Sequence, residues 1–230
     1  MRNNFFLLAF IPVCWFLLFD SINIQAAENS ILFNRLDVNN GLSSNEVSCV
    51  YKGRKGFMWF GTGAGLTRYD GYEFKTFRHE VDGALFSEGY IMELVETMDG
   101  KLWVTYQSGE ISIFDIYSHA FYTVSEIQQQ LGIQSTIVNV FQDNDYQLLF
   151  AASDNHLYKY NYTSRRLISY PVYPEEGGVC DLVCNEKGMY IIYYSGVLEI
   201  INPDSFEQVL KDDFLKKLPA PKRFNLFVDK

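Results

Sequence analysis

Apolar residues fall along this chain in short bursts, each closed by glycine or by a short polar residue, and the whole pattern returns at a spacing of roughly 45 residues. The clearest burst is Gly56-Phe57-Met58-Trp59-Phe60-Gly61-Thr62, followed by Gly65-Leu66-Thr67-Arg68-Tyr69-Asp70-Gly71. Setting Trp59 over Trp103 also sets Gly56 over Gly100, Val47 over Ile91, Val50 over Leu94 and Gly65 over Gly109. A third unit places its strands at 137–141, 147–151 and 156–161, and a fourth at 179–183, 189–194 and 197–201. Asp70, Asp115, Asn161 and Asn202 then mark a corner, because a short acceptor side chain can bond the backbone two residues on. Fourth strands follow at 73–77, 121–124, 167–170 and 206–210. Asp99-Gly100 and Lys187-Gly188 read as two-residue turns with positive φ, and Ser108-Gly109, Asp154-Asn155 and Ser195-Gly196 mark the next corner. Each unit is a four-stranded antiparallel meander.

The second strands decide how such units assemble. Phe57-Met58-Trp59-Phe60 and Met189-Tyr190-Ile191-Ile192-Tyr193 are apolar at odd and even positions alike, so both faces of the sheet require burial. Sheets packed face to face around an axis bury both, which predicts an all-β chain folded as a β-propeller of four-stranded antiparallel blades. The blades are expected at 42–82, 86–130, 133–174 and 177–215, with a further first strand starting at 223–230, so about four blades form an incomplete ring over 28–230. A strand at 32–36 has no partner in its own blade and would complete the last blade of a full ring.

Residues 1–26 carry a basic start, an apolar run over 5–19 and a polar stretch ending in Gln25-Ala26-Ala27, the layout of a secretory signal peptide. The run is shorter than the roughly 20 residues a membrane-spanning helix needs, and Pro12 interrupts it. The formal charge of −9 survives removal of the leader and argues against nucleic acid and anionic lipid as partners. Export permits disulfides, yet only Cys49, Cys180 and Cys184 remain. The last two sit on one face of a strand roughly 13 Å apart, beyond disulfide reach.

The chemical candidates are mostly turn chemistry. His79, His119 and His156 lie on different blades without metal-ligand spacing, and Asp99, Asp143, Asp145 and Asp154 occupy hairpin corners with no calcium-loop pattern. Gly61-Thr62-Gly63-Ala64-Gly65 leads into an alternating strand, whereas a phosphate cradle should lead into a helix. Neither a cofactor nor a metal is expected, and no pair of acids converging on the axis is apparent.

Gly41-Leu42-Ser43-Ser44-Asn45-Glu46-Val47, with the two glycine-bounded strands that follow it, resembles the two-component regulator propeller repeat. The resemblance extends over 28–230 and thins with each unit: blade two has Trp103-Val104-Thr105, and blades three and four have no tryptophan. It implies the periplasmic sensor region of a hybrid two-component histidine kinase. Members of that family carry two propellers, a β-sandwich, one transmembrane helix, then kinase, receiver and DNA-binding modules, and many respond to oligosaccharides. The parent would be an inner-membrane homodimer with seven-bladed propellers, of which this chain is an N-terminal, periplasmic part without kinase activity of its own.

On a propeller the ligand face carries the loops entering each first strand and the turns from second to third strands. Here those loops supply Ser43, Ser44, Asn45, Ser87, Tyr90, Tyr106, Gln107, Tyr193 and Tyr194. Aromatic planes beside amides and hydroxyls suit sugar rings, so Asn45, Tyr90, Tyr106, Gln107 and Tyr194 are the candidate binding residues for an oligosaccharide. Tyr106 and Tyr194 can equally serve as packing between blades. The rival readings are a secreted propeller lyase or hydrolase acting on glycans and a protein-binding scaffold.

Overall fold

The computed structural model describes residues 34–78, 80–81, 84–85, 89–218, 224 and 226. The leader expected at 1–26, most of the strand expected at 32–36, His79, Ser87 and most of 223–230 lie outside the described residues.

Among the described residues four four-stranded antiparallel sheets follow one another, and none is closed. Blade one is β1 (Val47–Lys52), β2 (Met58–Thr62), β3 (Gly65–Tyr69) and β4 (Phe74–Phe77). A two-stranded ladder, β5 (Glu80–Val81) and β6 (Ala84–Leu85), precedes blade two, which is β7 (Ile91–Glu96), β8 (Lys101–Tyr106), β9 (Ile111–Asp115) and β10 (Phe121–Thr123). Helix α1 (Val124–Leu131) leads into blade three, β11 (Ile137–Gln142), β12 (Leu148–Ala152), β13 (His156–Asn161) and β14 (Arg166–Pro171). Blade four is β15 (Val179–Asn185), β16 (Gly188–Tyr193), β17 (Leu198–Ile201) and β18 (Gln208–Asp212). First strands of successive blades adjoin one another, β1 with β7, β7 with β11 and β11 with β15, so they line the axis of an incomplete propeller of about four blades.

Burial explains the two-faced second strands. Leu102 and Val104 pack with Trp59, Leu66 and Phe77 of blade one, whereas Trp103 between them packs with Val140, Leu148 and Phe150 of blade three. Leu149 and Ala151 in turn meet Met189, Ile191 and Tyr193 of blade four. Blade-to-blade approach is close enough that a Cβ on Gly61 would collide with Cys49 Sγ and Ile91 Cγ2. Only glycine fits there, which gives the Trp-Phe-Gly-Thr run its packing reason.

The corners divide into those foreseen and those corrected. Asp70, Asp115 and Asn202 accept backbone N–H groups two and three residues on, and Asn161 accepts from Ser164. Gly109, Asn155 and Gly196 take positive φ at the next corner. The turns at 99–100 and 187–188 differ from expectation. The first loop runs from Thr97 to Gly100 with only Gly100 left-handed, and the second centres on Glu186 and Lys187, held by Asn185 Oδ1 bonding both Lys187 N and Gly188 N. Asparagine supplies an Asx turn there, so left-handed backbone is unnecessary. Helix α1 is also absent from the strand pattern. It is placed by Val124, Ile127 and Leu131, which recur at helical spacing and pack on the core between blades two and three, and it ends at left-handed Gly132.

Glu96 is buried between blades one and two, where its Oε2 accepts Arg54 N at 2.8 Å. Burial raises its pKa despite that bond and the charges of Arg54 and Lys55. An acid with a raised folded pKa costs stability above that pKa and costs nothing below its unfolded value. Glu96→Gln is therefore expected to raise the melting temperature at pH 7, with the gain closing as pH falls through the ordinary carboxylate range. Equal melting shifts at pH 7 and pH 4 would contradict this.

Candidate functional site in the axial funnel

All four first strands share one irregularity. The register shifts between Val47 and Cys49, Ile91 and Glu93, Ile137 and Asn139, and Val179 and Asp181. A bulge at the same place in every blade re-aims the residue pair it contains. Part of each pair joins neighbouring blades: Ser48 Oγ donates to Ile91 O, Asn139 Nδ2 to Val179 O at 3.1 Å, and Cys180 Sγ to Phe224 O at 3.5 Å. Leu226 N donates to Asp181 Oδ2 at 2.7 Å.

Between the first strands of blades two, three and four lies a concavity of about 700 Å³. Bulge residues Met92, Glu93, Asn139, Cys180 and Asp181 form its wall. Gln107 and Tyr194, both exposed, stand at its rim, and Tyr106 and Phe141, both buried, lie deeper. Tyr106 is fixed by a 3.1 Å bond between its hydroxyl and Ser112 Oγ, and burial raises its pKa so that the phenol stays protonated. Gln107 is held through its backbone, which donates to Tyr90 O at 2.8 Å, while Tyr194 N donates to Gly178 O at 3.1 Å. The side chains of Gln107 and Tyr194 thus project from pinned backbones. A flat aromatic ring, two amides and carboxylates around a cavity of this size can enclose a sugar ring or two.

The sequence candidates separate in space. Tyr106, Gln107 and Tyr194 come together in the funnel. Asn45 Oδ1 accepts Val38 N at 3.0 Å and so braces the segment leading into blade one, and Tyr90 bonds Glu46 through its hydroxyl and does not line the concavity. Ser43 Oγ bonds Thr62 and Thr67, and Ser44 Oγ caps Glu46 N. Tyr193 is fully buried, donating to Glu199 Oε2 at 2.7 Å. Sequence reasoning missed Met92, Glu93, Asn139 and Asp181, whose common position in the repeat was the available signal. It also found no acids near the axis, whereas Glu93 and Asp181 share the funnel wall. Both Asp181 oxygens accept backbone N–H groups, from Leu182 and Leu226 at 2.7 Å, which makes it a brace for the strand.

Among the described residues no group of three or more metal-ligating side chains occurs, and Cys49, Cys180 and Cys184 are free thiols. Burial pushes Cys49 and Cys184 up to about 11, the range of inert packing residues. Among the described residues no helix is long and apolar enough to cross a membrane.

Residues 41–64, the first hairpin of blade one with its lead-in, match the family model described as Two component regulator propeller. The chain carries a two-component regulator propeller repeat. Two solved structures similar to this propeller are extracellular domains of hybrid two component systems from B. thetaiotaomicron, each 18% identical. The first aligns over 75% of this chain and 24% of that one with a TM-score of 0.49, the second over 76% and 26% with 0.46. A third is PorZ, a surface component of the type-IX secretion system of Porphyromonas gingivalis, at 13% identity, 75% and 23% coverage and a TM-score of 0.51. At that identity the likeness to PorZ supports the fold alone. The propeller chain spans about a quarter of the length of these three structures. Comparison with curated protein sequences gives no match.

Proposed function

We propose that this chain is the ligand-sensing propeller segment of a hybrid two-component receptor, exported to the periplasm, and that it takes an oligosaccharide in the axial funnel without transforming it. One observation carries the reading: the blade that matches the regulator-propeller family opens an array whose axis holds a concavity lined by Tyr194, Gln107 and Asn139. Tyrosine offers a face to the apolar side of a sugar and the amides offer donors and acceptors to its hydroxyls.

A longer parent fits the outer faces. Val50 is 54% exposed, whereas its counterparts Leu94, Val140 and Leu182 are 6%, 1% and 4% exposed because a preceding blade covers them. A further blade of the parent would cover Val50, and Phe224, bonded to Cys180, would open the blade after 177–215. Histidine kinase activity and any dimer belong to that parent. A hydrolase or lyase reading gains one point from Glu93 and Asp181, because glycan cleavage uses paired acids. The backbone bonds that occupy both Asp181 oxygens count against it.

Oligosaccharide-array binding with a parallel assay for new reducing ends and unsaturated products tests this reading. Expected are binding in the range of roughly 1 μM to 1 mM and no turnover. Turnover would replace the sensor with an enzyme, and an empty array beside a protein partner recovered from the periplasm would leave the scaffold.

A further inference from the structure

Blade one sets two cations directly opposite each other. In the β3–β4 ladder Arg68 stands across from Lys75, and in the β2–β3 ladder Trp59 stands across from Arg68. Cross-strand partners share a face, so Arg68 and Lys75 lie on the side on which Trp59 packs against blade two. Each charge rests on an aromatic ring: Arg68 Cζ is 4.5 Å from the centre of Phe57, and Lys75 Nζ is 5.3 Å from that of Phe77. From blade two the exposed His119, with φ at 59°, brings its ring to 5.0 Å from Phe77, centre to centre. Like charges directly opposite destabilise a sheet unless something offsets them. Lys101, Lys159 and Lys216 are each offset by a carboxylate, at 2.9, 3.2 and 2.8 Å. Among the described residues Arg68 and Lys75 form no ion pair, and neither ring nitrogen of His119 forms a side-chain hydrogen bond except within the aromatic contacts named. The acids that act on the group are Asp70 on Arg68 and Asp115 on His119, and each already spends Oδ1 on two backbone N–H groups. Guanidinium, ammonium and imidazole thus gather without an acceptor.

We propose that Arg68, Lys75 and His119 form a binding site for a tetrahedral oxyanion, phosphate or sulfate, free or as an ester on a larger ligand. The planar guanidinium fork takes two of its oxygens and the ammonium takes a third as a point charge, which turns the Arg68–Lys75 repulsion into two attractions. Phe57 and Phe77 hold the cations in place beforehand, so less side-chain freedom is lost on binding. Burial, then the charges of Lys75 and Arg68, holds the pKa of His119 below the ordinary imidazole value against the opposing pull of Asp115. A bound dianion reverses that balance, so binding takes up a proton and tightens as pH falls through the imidazole range. The site lies by the Asp70 corner, where β3 ends and β4 begins, whereas Gln107 and Tyr194 follow second strands at the other end of their blades. It is separate from the axial funnel and does not depend on the sensor reading.

The full chain should be titrated calorimetrically with sodium sulfate, sodium phosphate and glucose 6-sulfate, with sodium chloride holding the ionic strength constant. Sulfate stays dianionic over the pH range used, whereas phosphate takes up a proton there, so sulfate carries the pH comparison. Binding of sulfate with a Kd of about 1 mM or tighter is expected, at least threefold tighter at about pH 5.5 than at about pH 7.5. Arg68→Gln and Lys75→Gln should each weaken it at least tenfold, and His119→Asn, which keeps a residue that accepts positive φ, should flatten the pH dependence. A melting curve of each variant without the anion is the folding control. Glucose 6-sulfate bound as well as sulfate would support an ester on a larger ligand, and sulfate or phosphate bound without it would support a free ion. No binding of any of the three at about 20 mM, affinity unchanged in folded Arg68→Gln and Lys75→Gln, or a pH dependence that survives His119→Asn would overturn the site.

Discussion

Removing both phenols that clamp Glu199, in the double variant Tyr170→Phe/Tyr193→Phe, is expected to destabilise the array by roughly 3–5 kcal/mol, the cost of stranding a buried charge. Glu199 lies on β17 at 0% exposure, where Tyr170 of blade three donates to Oε1 at 2.9 Å and Tyr193 of blade four donates to Oε2 at 2.7 Å. The clamp is thus a bond between blades. Each single variant should cost about 1.5–3 kcal/mol, the value of one hydrogen bond to a charged group. Adding Glu199→Leu to the double variant should recover part of the loss, since no polar group then remains to be satisfied. Chemical denaturation of the four variants checks the series. A double variant within about 1 kcal/mol of the unmodified chain would show that the clamp is not what joins blades three and four.

The same phenols give the pH dependence a sign. Burial, then the neighbouring carboxylate, raises the pKa of both Tyr170 and Tyr193 above the ordinary phenol range. Burial likewise pushes Tyr51 up to about 12. Such groups contribute stability that is fully present below their unfolded pKa near 10 and is lost as pH rises beyond it. Alkaline unfolding should therefore be steep in the unmodified chain and shallower in the double variant.

The second large effect concerns Trp59 and Trp103, which behave differently. Trp59 is 1% exposed, with its ring centroid 6.1 Å from Phe77 and 5.7 Å from Phe114, at the centre of the core between blades one and two. Trp59→Ala should cost about 3–5 kcal/mol, enough to unfold a chain of ordinary stability. Trp103 is equally buried, yet its Nε1 makes no hydrogen bond. Trp103→Phe deletes that unsatisfied donor along with one ring, so its loss should fall well below that of Trp59→Ala. Thermal melts followed by circular dichroism would separate them, and equal losses would contradict the assignment of their different surroundings.

What the sequence could and could not reveal follows from the range of the forces involved. Local chemistry was readable: Asp70, Asp115 and Asn202 bond backbone they can reach by themselves, and Gly109 and Gly196 take φ values that few other residues accept. Trp59 over Trp103 fixed the repeat because a second strand apolar on both faces has only one way to be buried. Helix α1 was hidden because Val124 also extends the β10 pattern, and three residues of helical spacing are a faint signal within a run of strands. Glu199 reads as an outward position in an alternating strand, and its partners lie 29 and 6 residues away. The funnel was hardest to see. Its wall is built by bulges, which change the direction of Glu93 and Asn139 without changing their place in the alternation. Gln107 and Tyr194 were legible because they sit at turns, and Asn45 and Tyr90 had the same signature while serving blade one.

The most direct test is calorimetric titration of the tightest-binding array oligosaccharide against the unmodified chain, Tyr194→Ala and Gln107→Ala. Both variants lie at an exposed rim and should melt as the unmodified chain does. If the axial funnel is the ligand site, each should weaken binding at least tenfold, about 1.4 kcal/mol. Unchanged affinity in both would place the ligand elsewhere and contradict the account.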